Sequence, residues 1–299
     1  MPSDVSFENG LAGTGTGAPS TGGSVKAWIV DNWLVAVSVV LVIVLAFFCF
    51  VGPTLYRTNQ TASVLALANL RPSSRFPLGT DNNGFNILGR LMLGGQLSLE
   101  IGLAVAVMST TFGAVWGAVA GWFGGVVDTV MMRTVDALLA VPWVFLYLFF
   151  TSIVRPTTGL IIVVLASLSW LVPSRLARAE TLSLRSREFV DAARVAGAGA
   201  VRVVFRHLLP NTLGTIVVNA TFQVADAISA LALLSYLGFG PPPPVASWGG
   251  MLSNGVNFLY DGYWWQVYPA GVMILVTVLA FNFLGDGLRD LLDVRRVKR

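Results

Sequence analysis

Residues 28–51 read WIVDNWLVAVSVVLVIVLAFFCFV, a run that carries a single charge, Asp31, and no proline. About 20 predominantly apolar residues let a helix cross roughly 30 Å of hydrocarbon, so this stretch predicts a membrane-spanning helix. It is longer than the apolar core of a secretory leader and no small-residue cleavage site accompanies it, so it reads as an uncleaved first span. The remainder of the chain agrees. Of 299 residues 55% are apolar and 11% charged, against about 25% charged in soluble domains. The charges are bunched between apolar runs, as in a polytopic membrane protein.

Upstream, residues 1–26 are rich in Gly, Ser and Thr and hold too little apolar mass to fold alone, so they read as a flexible tail. The first span is placed at 27–52. Residues 53–94 turn polar, with Pro53, Pro72, Pro77, Gly79 and Gly84, as expected of an extramembrane loop with little regular structure. Further apolar runs follow at Ser98–Phe123, Asp128–Val154, Gly159–Leu176, Asn211–Leu237 and Gln266–Leu288. Gly and Pro interrupt several of them, which lipid-embedded helices tolerate when neighbours satisfy the freed backbone groups. The expected fold is all-α with six transmembrane helices: a five-helix core over 95–290, a polar loop at 178–210, a second loop at 238–265 and a basic tail at 291–299.

Six crossings put both termini on one side. With the termini in the cytoplasm, fourteen basic residues fall inside and five outside, in accord with the positive-inside rule. That places 178–210 in the cytoplasm and the loops 53–94 and 238–265 outside it. The halves show no internal repeat, so a complete pathway is expected to need a second subunit.

Composition removes several chemistries. One cysteine, Cys49, allows no intrachain disulfide or thiolate cluster, and one histidine, His207, leaves zinc or Ser/His/Asp chemistry without partners. The only lysines, Lys26 and Lys298, stand outside any Gly-x-x-x-x-Gly-Lys-Ser/Thr setting, so the chain reads as no ATPase. No catalytic residue, metal ligand or cofactor is expected in it. Its arginines cluster at span ends, which suits membrane orientation and not nucleic acid.

Between Arg178 and Pro210 the apolar chain gives way to polar, helix-forming residues. The centre reads Glu188-Phe189-Val190-Asp191-Ala192-Ala193-Arg194-Val195-Ala196-Gly197. Phe189, Ala192, Ala193 and Ala196 recur at three- and four-residue spacing and are expected to share one helix face, with Glu188, Asp191 and Arg194 around it. Gly197 suits a left-handed turn that ends the helix, and Leu209-Pro210 opens the next span. Such a projection fits a groove on a partner protein, or it lies on anionic lipid through its arginines. The residues alone leave both open.

This segment resembles the EAA loop of ATP-binding-cassette importers, whose pattern is Glu-Ala-Ala, three residues, Gly, nine residues, Ile, any residue, Leu-Pro. Asp191-Ala192-Ala193, Gly197 and Leu209-Pro210 fit the spacing, with Asp191 in place of Glu and His207 in place of Ile. The resemblance extends to the dipeptide, oligopeptide and nickel permease family, in particular its second, C-type subunit. It is carried by Pro77-Leu78-Gly79-Thr80-Asp81, Gly121-Trp122-Phe123-Gly124-Gly125, Pro173 with Arg175, and Leu182-Ser183-Leu184-Arg185. Ser235-Tyr236-Leu237-Gly238-Phe239-Gly240, Ser247-Trp248-Gly249 and Asn282-Phe283-Leu284-Gly285-Asp286-Gly287-Leu288-Arg289-Asp290 add to it. It covers the chain from Pro77 onward.

The resemblance implies the type I importer permease fold in a bacterial inner membrane, a second homologous permease around one pathway, and an extracytoplasmic solute-binding protein. It also implies two ATP-binding subunits or domains that hold ATP and Mg. Carried over, Glu188, Phe189, Asp191, Ala192, Ala193, Gly197, Leu209 and Pro210 form the segment that couples to the ATPase. Short peptides, the family's commonest cargo, are the expected cargo. Gly79, Thr80, Asp81, Trp248 and the run Pro241, Pro242, Pro243 and Pro244 are expected to meet the binding protein, the prolines in an extended form.

Asp226 lies in an apolar run, where an ionised carboxylate costs about 2.5–3.5 kcal/mol. It is therefore expected to face protein or water, and lining the pathway is favoured over pairing with a neighbouring helix. The alternative function is a proton-coupled carrier that titrates Asp226 and Asp136. Helical spacing predicts ion pairs Arg133–Asp136 and Asp286–Arg289. Tyr260, Tyr263, Trp264, Trp265 and Tyr268 are expected to anchor at the headgroups. Two positions depart from the family: Phe85-Asn86 follow Gly84 where Arg-Asp is common, and Leu231 stands where a Glu is common. Both bear on cargo handling.

Overall fold

The computed structural model describes residues 33–60, 62–154 and 156–297. The tail at 1–26, the first residues of the span placed at 27–52 and the end of the tail at 291–299 lie outside the described residues. From Leu34 onward the contacts group the chain into one unit.

Long apolar runs become long helices. α1 (Trp33–Leu55), α2 (Ile87–Phe123), α8 (Ala200–Tyr236) and α10 (Tyr268–Val297) form the frame, and four spans are long and apolar enough to cross a membrane. Two further apolar runs are each broken. α3 (Gly125–Leu139) and α4 (Trp143–Ile153) meet at 75°, and α5 (Thr158–Ser169) and α6 (Leu171–Arg185) at 41°. Counting each bent pair as one crossing gives six. No β-strand occurs among the described residues.

Each interruption sits at a proline, which lacks an N–H and crowds the carbonyl four residues earlier. Pro142 ends the run at the α3–α4 corner. Pro173 frees the Ser169 carbonyl at the α5–α6 bend, and the Gln223 side-chain amide donates to that oxygen at 2.7 Å. Pro53 and Pro210 are tolerated inside helices because a wide turn precedes each, Phe47–Val51 and Val204–Leu208. The Leu209–Pro210 pair thus leads into the long apolar part of α8, as expected, within a helix that continues from Ala200.

α2 runs through the middle. Gly113, Gly117 and Gly121 repeat at four-residue spacing and bring α6 against it: a Cβ on Gly113 would lie 2.6 Å from the Trp170 carbonyl, and one on Gly121 2.9 Å from Thr181 Cβ. Without water to drive helices together, close backbone approach of this kind is what packs helices in lipid. On another side Gly102 lets Ile228 and Val224 of α8 close in, at 2.9 and 3.4 Å from where its Cβ would be. Leu99, Ala106, Val224, Ala225 and Ile228 share one buried cluster, and Ile101, Val105, Ala227, Leu231 and Leu234 another.

α2 begins at Ile87, earlier than the 95 expected. Asn86 is its N-cap, the side-chain oxygen accepting from Gly89 N at 3.2 Å, and Asn is as good a cap as Asp. Gly94 and Gly95 are where Trp248 lies against the helix. Phe85 lies against the Arg90 guanidinium, 4.7 Å from ring centre. The Phe85-Asn86 departure therefore keeps the cap and gives the buried cation a ring. Leu231 is 1% exposed in the core, so it packs and offers nothing to a pathway.

The polar stretch before α2 is irregular apart from a short turn, Leu65–Leu67, but firmly tied. Thr80 is buried; its hydroxyl donates to the Leu67 carbonyl at 2.5 Å and accepts from Leu70 N at 2.8 Å. The loop expected over 238–265 holds a helix, α9 (Trp248–Val256), capped by Ser247. Trp248 Nε1 donates to the Leu91 carbonyl at 2.9 Å, and Trp265 Nε1 to the Thr80 carbonyl at 3.2 Å. Trp265 is thus a core residue and not a headgroup anchor, whereas Tyr260, Trp264 and Tyr268 are exposed.

Candidate functional site

α7 (Glu188–Val195) projects between α6 and α8 at the end of the bundle where α2 terminates. Its sequence gives it two unlike sides. Val190 is fully buried against Ala118, Val203, Val204 and Leu208, with Trp122 beside them. One turn on, the Arg194 guanidinium lies over the Trp122 ring at 4.5 Å. Phe189, Ala192, Val195 and Ala196 lie on the outer side, all exposed, Val195 at 90%. The apolar face expected through Phe189, Ala192, Ala193 and Ala196 therefore points away from this chain. Ala193 alone turns partly inward. Glu188 begins the open stripe one turn before Ala192, and Asp191 borders it, 3.6 Å from Arg194.

The helix ends as Gly197 predicts. Its φ is +81°, its N–H donates to the Arg194 carbonyl at 2.9 Å, and Ala198 N donates to the Ala193 carbonyl at 3.0 Å. That pair of bonds is a Schellman motif and fixes where the chain turns. Nothing lies within 4 Å of where a Cβ on Gly197 would be, so only the left-handed backbone requires glycine there.

Arginines on α6 fasten the projection's base to the bundle. Arg185 Nη1 donates to the Gly121 and Trp122 carbonyls at 3.2 Å each, covering the exposed end of α2. Arg178 pairs with Asp128 of α3 through both carboxylate oxygens at 2.5 Å. Arg175 reaches Asp136 at 2.5 Å, closer than Arg133 at 3.7 Å. The predicted Arg133–Asp136 pair is present but secondary, and among the described residues Asp286 and Arg289 form no ion pair. Asp128 and Arg178 are fifty positions apart and carry no local signal, so sequence reasoning missed their pairing.

Elsewhere the expected residues separate. Asp226 is exposed on α8, on the side away from α2, with Ser229 and Leu233 on the same face. Gly79, Thr80 and Trp248 are buried, which removes them from direct contact with a soluble partner in this structure and makes them scaffold. Gly79 has a φ of +75° and its Cβ would meet the Leu70 carbonyl at 2.6 Å. Asp81 accepts from Asn83 N and Phe85 N at 2.9 Å each and lies 3.8 Å from Arg90. Burial pushes its carboxyl above the usual carboxylate range, against the lowering effects of the Phe85 N–H and Arg90. Pro242, Pro243 and Pro244 are exposed, yet Val245 N donates to the Pro242 carbonyl at 3.2 Å, so the run turns and is not the extended segment expected.

Residues 113–298 match the model of the family described as the binding-protein-dependent transport system inner membrane component. The chain is similar to the dipeptide transport system permease protein DppC of Bacillus subtilis, 34% identical over 277 residues, 92% of this chain and 87% of the relative. It is similar to the oligopeptide transport system permease proteins OppC of Bacillus subtilis, 36% over 263 residues and 88% and 86% of the two chains. With OppC of Escherichia coli K12 it shares 36% over 264 residues, 88% and 87% of the two chains. The matched region contains α7, the Gly197 turn and Leu209–Pro210.

Proposed function

The chain belongs to the family of binding-protein-dependent transport system inner membrane components, and from that membership we propose that it forms half of an import pathway for short peptides, worked through α7 by a separate ATPase. A permease subunit of an importer contributes the membrane path; hydrolysis of ATP, with its Mg, falls to partner subunits. Peptides are the cargo named in the relatives, among them DppC and OppC. The proposed arrangement pairs this chain with a second homologous permease, two ATP-binding subunits and an extracytoplasmic binding protein, with both termini in the cytoplasm.

One observation carries the coupling role: α7 presents an open apolar stripe while its other side is seated on the end of α2. A stripe of Phe189, Ala192, Val195 and Ala196 left to water would waste burial worth about 25 cal/mol per Å², and the carboxylates on and beside it, Glu188 and Asp191, are ill suited to anionic lipid. A protein groove suits both features. A push on that stripe reaches α2 through Val190 and Trp122 and reaches α3 through Arg178, so closure of the ATPase moves helices as a body. We infer that Asp226, open on α8, lines the path.

The test is transport by the reconstituted complex with its binding protein and a short peptide. Ala192→Arg is expected to insert normally and to abolish ATP-dependent uptake. Uptake at the wild-type rate by that variant, or peptide uptake driven by a proton gradient with no ATP, would remove the assignment.

A further inference from the structure

α2 carries two charged residues, Arg90 and Glu100. Arg90 is buried beside Asp81 and Phe85. Glu100 is exposed, and at a 1.5 Å rise per residue it stands about 20 Å along the helix from Ile87. Its depth is fixed by its neighbours: Gly102, two positions on, meets Val224 and Ile228 of α8, the residues on either side of Asp226. The two carboxylates therefore lie within about a turn of the same level. They leave the bundle on different sides, because Leu99, Gly102 and Ala106 face α8 while Glu100, Leu103 and Val107 face away from it.

The open face of α2 is a stripe of Glu100, Leu103, Val107 and Thr111, continued by the half-buried Gln96, at three- and four-residue spacing. Lipid suits it poorly, since an ionised carboxylate is costly within hydrocarbon and Gln96 adds a second polar group one turn away. Water suits it poorly as well, because Leu103 and Val107, 49% and 62% exposed, occupy the next two turns. A mostly apolar stripe with one local polar patch matches helix–helix contact in a membrane, where a side-chain hydrogen bond joins two apolar surfaces.

We propose that this face of α2 seats a transmembrane helix of the paired permease subunit, which brings a hydrogen-bond donor, such as a Ser, Thr, Asn, Lys or Arg side chain, to Glu100. The proposal rests on the pairing advanced above and names the surface of this chain at which the pair meets. The carboxylate accepts from the partner's donor, and Gln96 extends the patch by one turn.

The assembled complex, with both permeases and both ATPases in lipid, provides the test. Cys49 is buried and the chain's only cysteine, so Glu100→Cys in a Cys49→Ala background takes a single spin label. An immobilised label shielded from both oxygen and a water-soluble nickel chelate is expected. Strong collision with oxygen would place the face in lipid, and strong collision with the chelate in water; either overturns the proposal. Unlabelled variants supply a second measurement. Glu100→Leu is expected to lower co-purification of the paired permease about fivefold, the factor for roughly 1 kcal/mol, with Glu100→Gln close to wild type. Equal recovery with Glu100→Leu overturns the contact while leaving the pairing intact. Failure of the wild-type chain to recover any second permease removes both.

Discussion

The Arg194 guanidinium rests on the face of the Trp122 ring, 4.5 Å from its centre, so the last turn of α2 holds the last turn of α7. Two helices distant in sequence are joined there, at the point where the proposed coupling would pass force into the membrane.

Removing the ring should loosen that joint without unfolding the bundle. A cation–π contact at a partly open site contributes about 0.5–1 kcal/mol, and Trp122→Ala also thins the cluster around Val190. The variant is expected to assemble and to bind its ATPase. Uptake should fall severalfold while ATP hydrolysis persists, so that the ratio of peptide moved to ATP hydrolysed drops. An unchanged ratio would show that α7 is held without Trp122.

Gly197 offers a cleaner perturbation. A side chain there meets no neighbour, so Gly197→Ala registers only the left-handed backbone, about 1–2 kcal/mol. A penalty of that size shifts the population of the turned helix end by about 5- to 30-fold. Binding-protein-stimulated ATP hydrolysis is expected to weaken in Gly197→Ala and to vanish in Gly197→Pro. Gly159→Ala, at a helical position with nothing within 4 Å, should behave as wild type.

Much of this architecture is legible in the sequence, and the parts that are not share a cause. Apolar length gives the spans, and the Asp191–Gly197 spacing locates the projection and its terminating turn. What the pattern misjudges is orientation and reach. Period alone finds the stripe through Phe189 and Ala192 but cannot tell whether a stripe faces its own chain or a partner. Here Val190, one position off that stripe, is the residue that docks inward. At Gly94 and Gly95 the missing side chain is what admits Trp248, a packing role that apolar length does not reveal. Buried scaffold such as Thr80 and Trp248 resembles surface recognition in sequence because polar and aromatic residues serve both. Asp128 and Arg178 find each other only once the chain has folded.

That last pair predicts a folding defect with a specific remedy. Asp128 accepts two bonds from Arg178, and its side chain is 13% exposed. Loss of a charged hydrogen bond costs about 1.5–3 kcal/mol. Asp128→Asn should lower thermal stability in detergent and lower uptake together, because α3 no longer follows α6. Exchanging the two charges, Asp128→Arg with Arg178→Asp, should recover part of the stability lost by either single change. Additive losses in the double variant would mean that the pair contributes nothing as a pair.

Asp226 separates two explanations of a carboxylate in a span. It is open on α8, away from α2, and Ser229 lies one turn further along the same face. If the group lines the path, its charge acts on the moving peptide and not on the fold. Asp226→Asn keeps shape and hydrogen bonding while removing the charge. It is expected to leave assembly and thermal stability unchanged and to slow uptake, more for peptides with an added cationic residue than for neutral ones. If the group instead pairs with a neighbouring helix, the same substitution lowers stability and recovery of the complex and affects all peptides alike. Uptake measured over peptides of graded charge, alongside the melting temperature of the complex, decides between them: a uniform loss with a lower melting temperature would move Asp226 out of the path and into an interface.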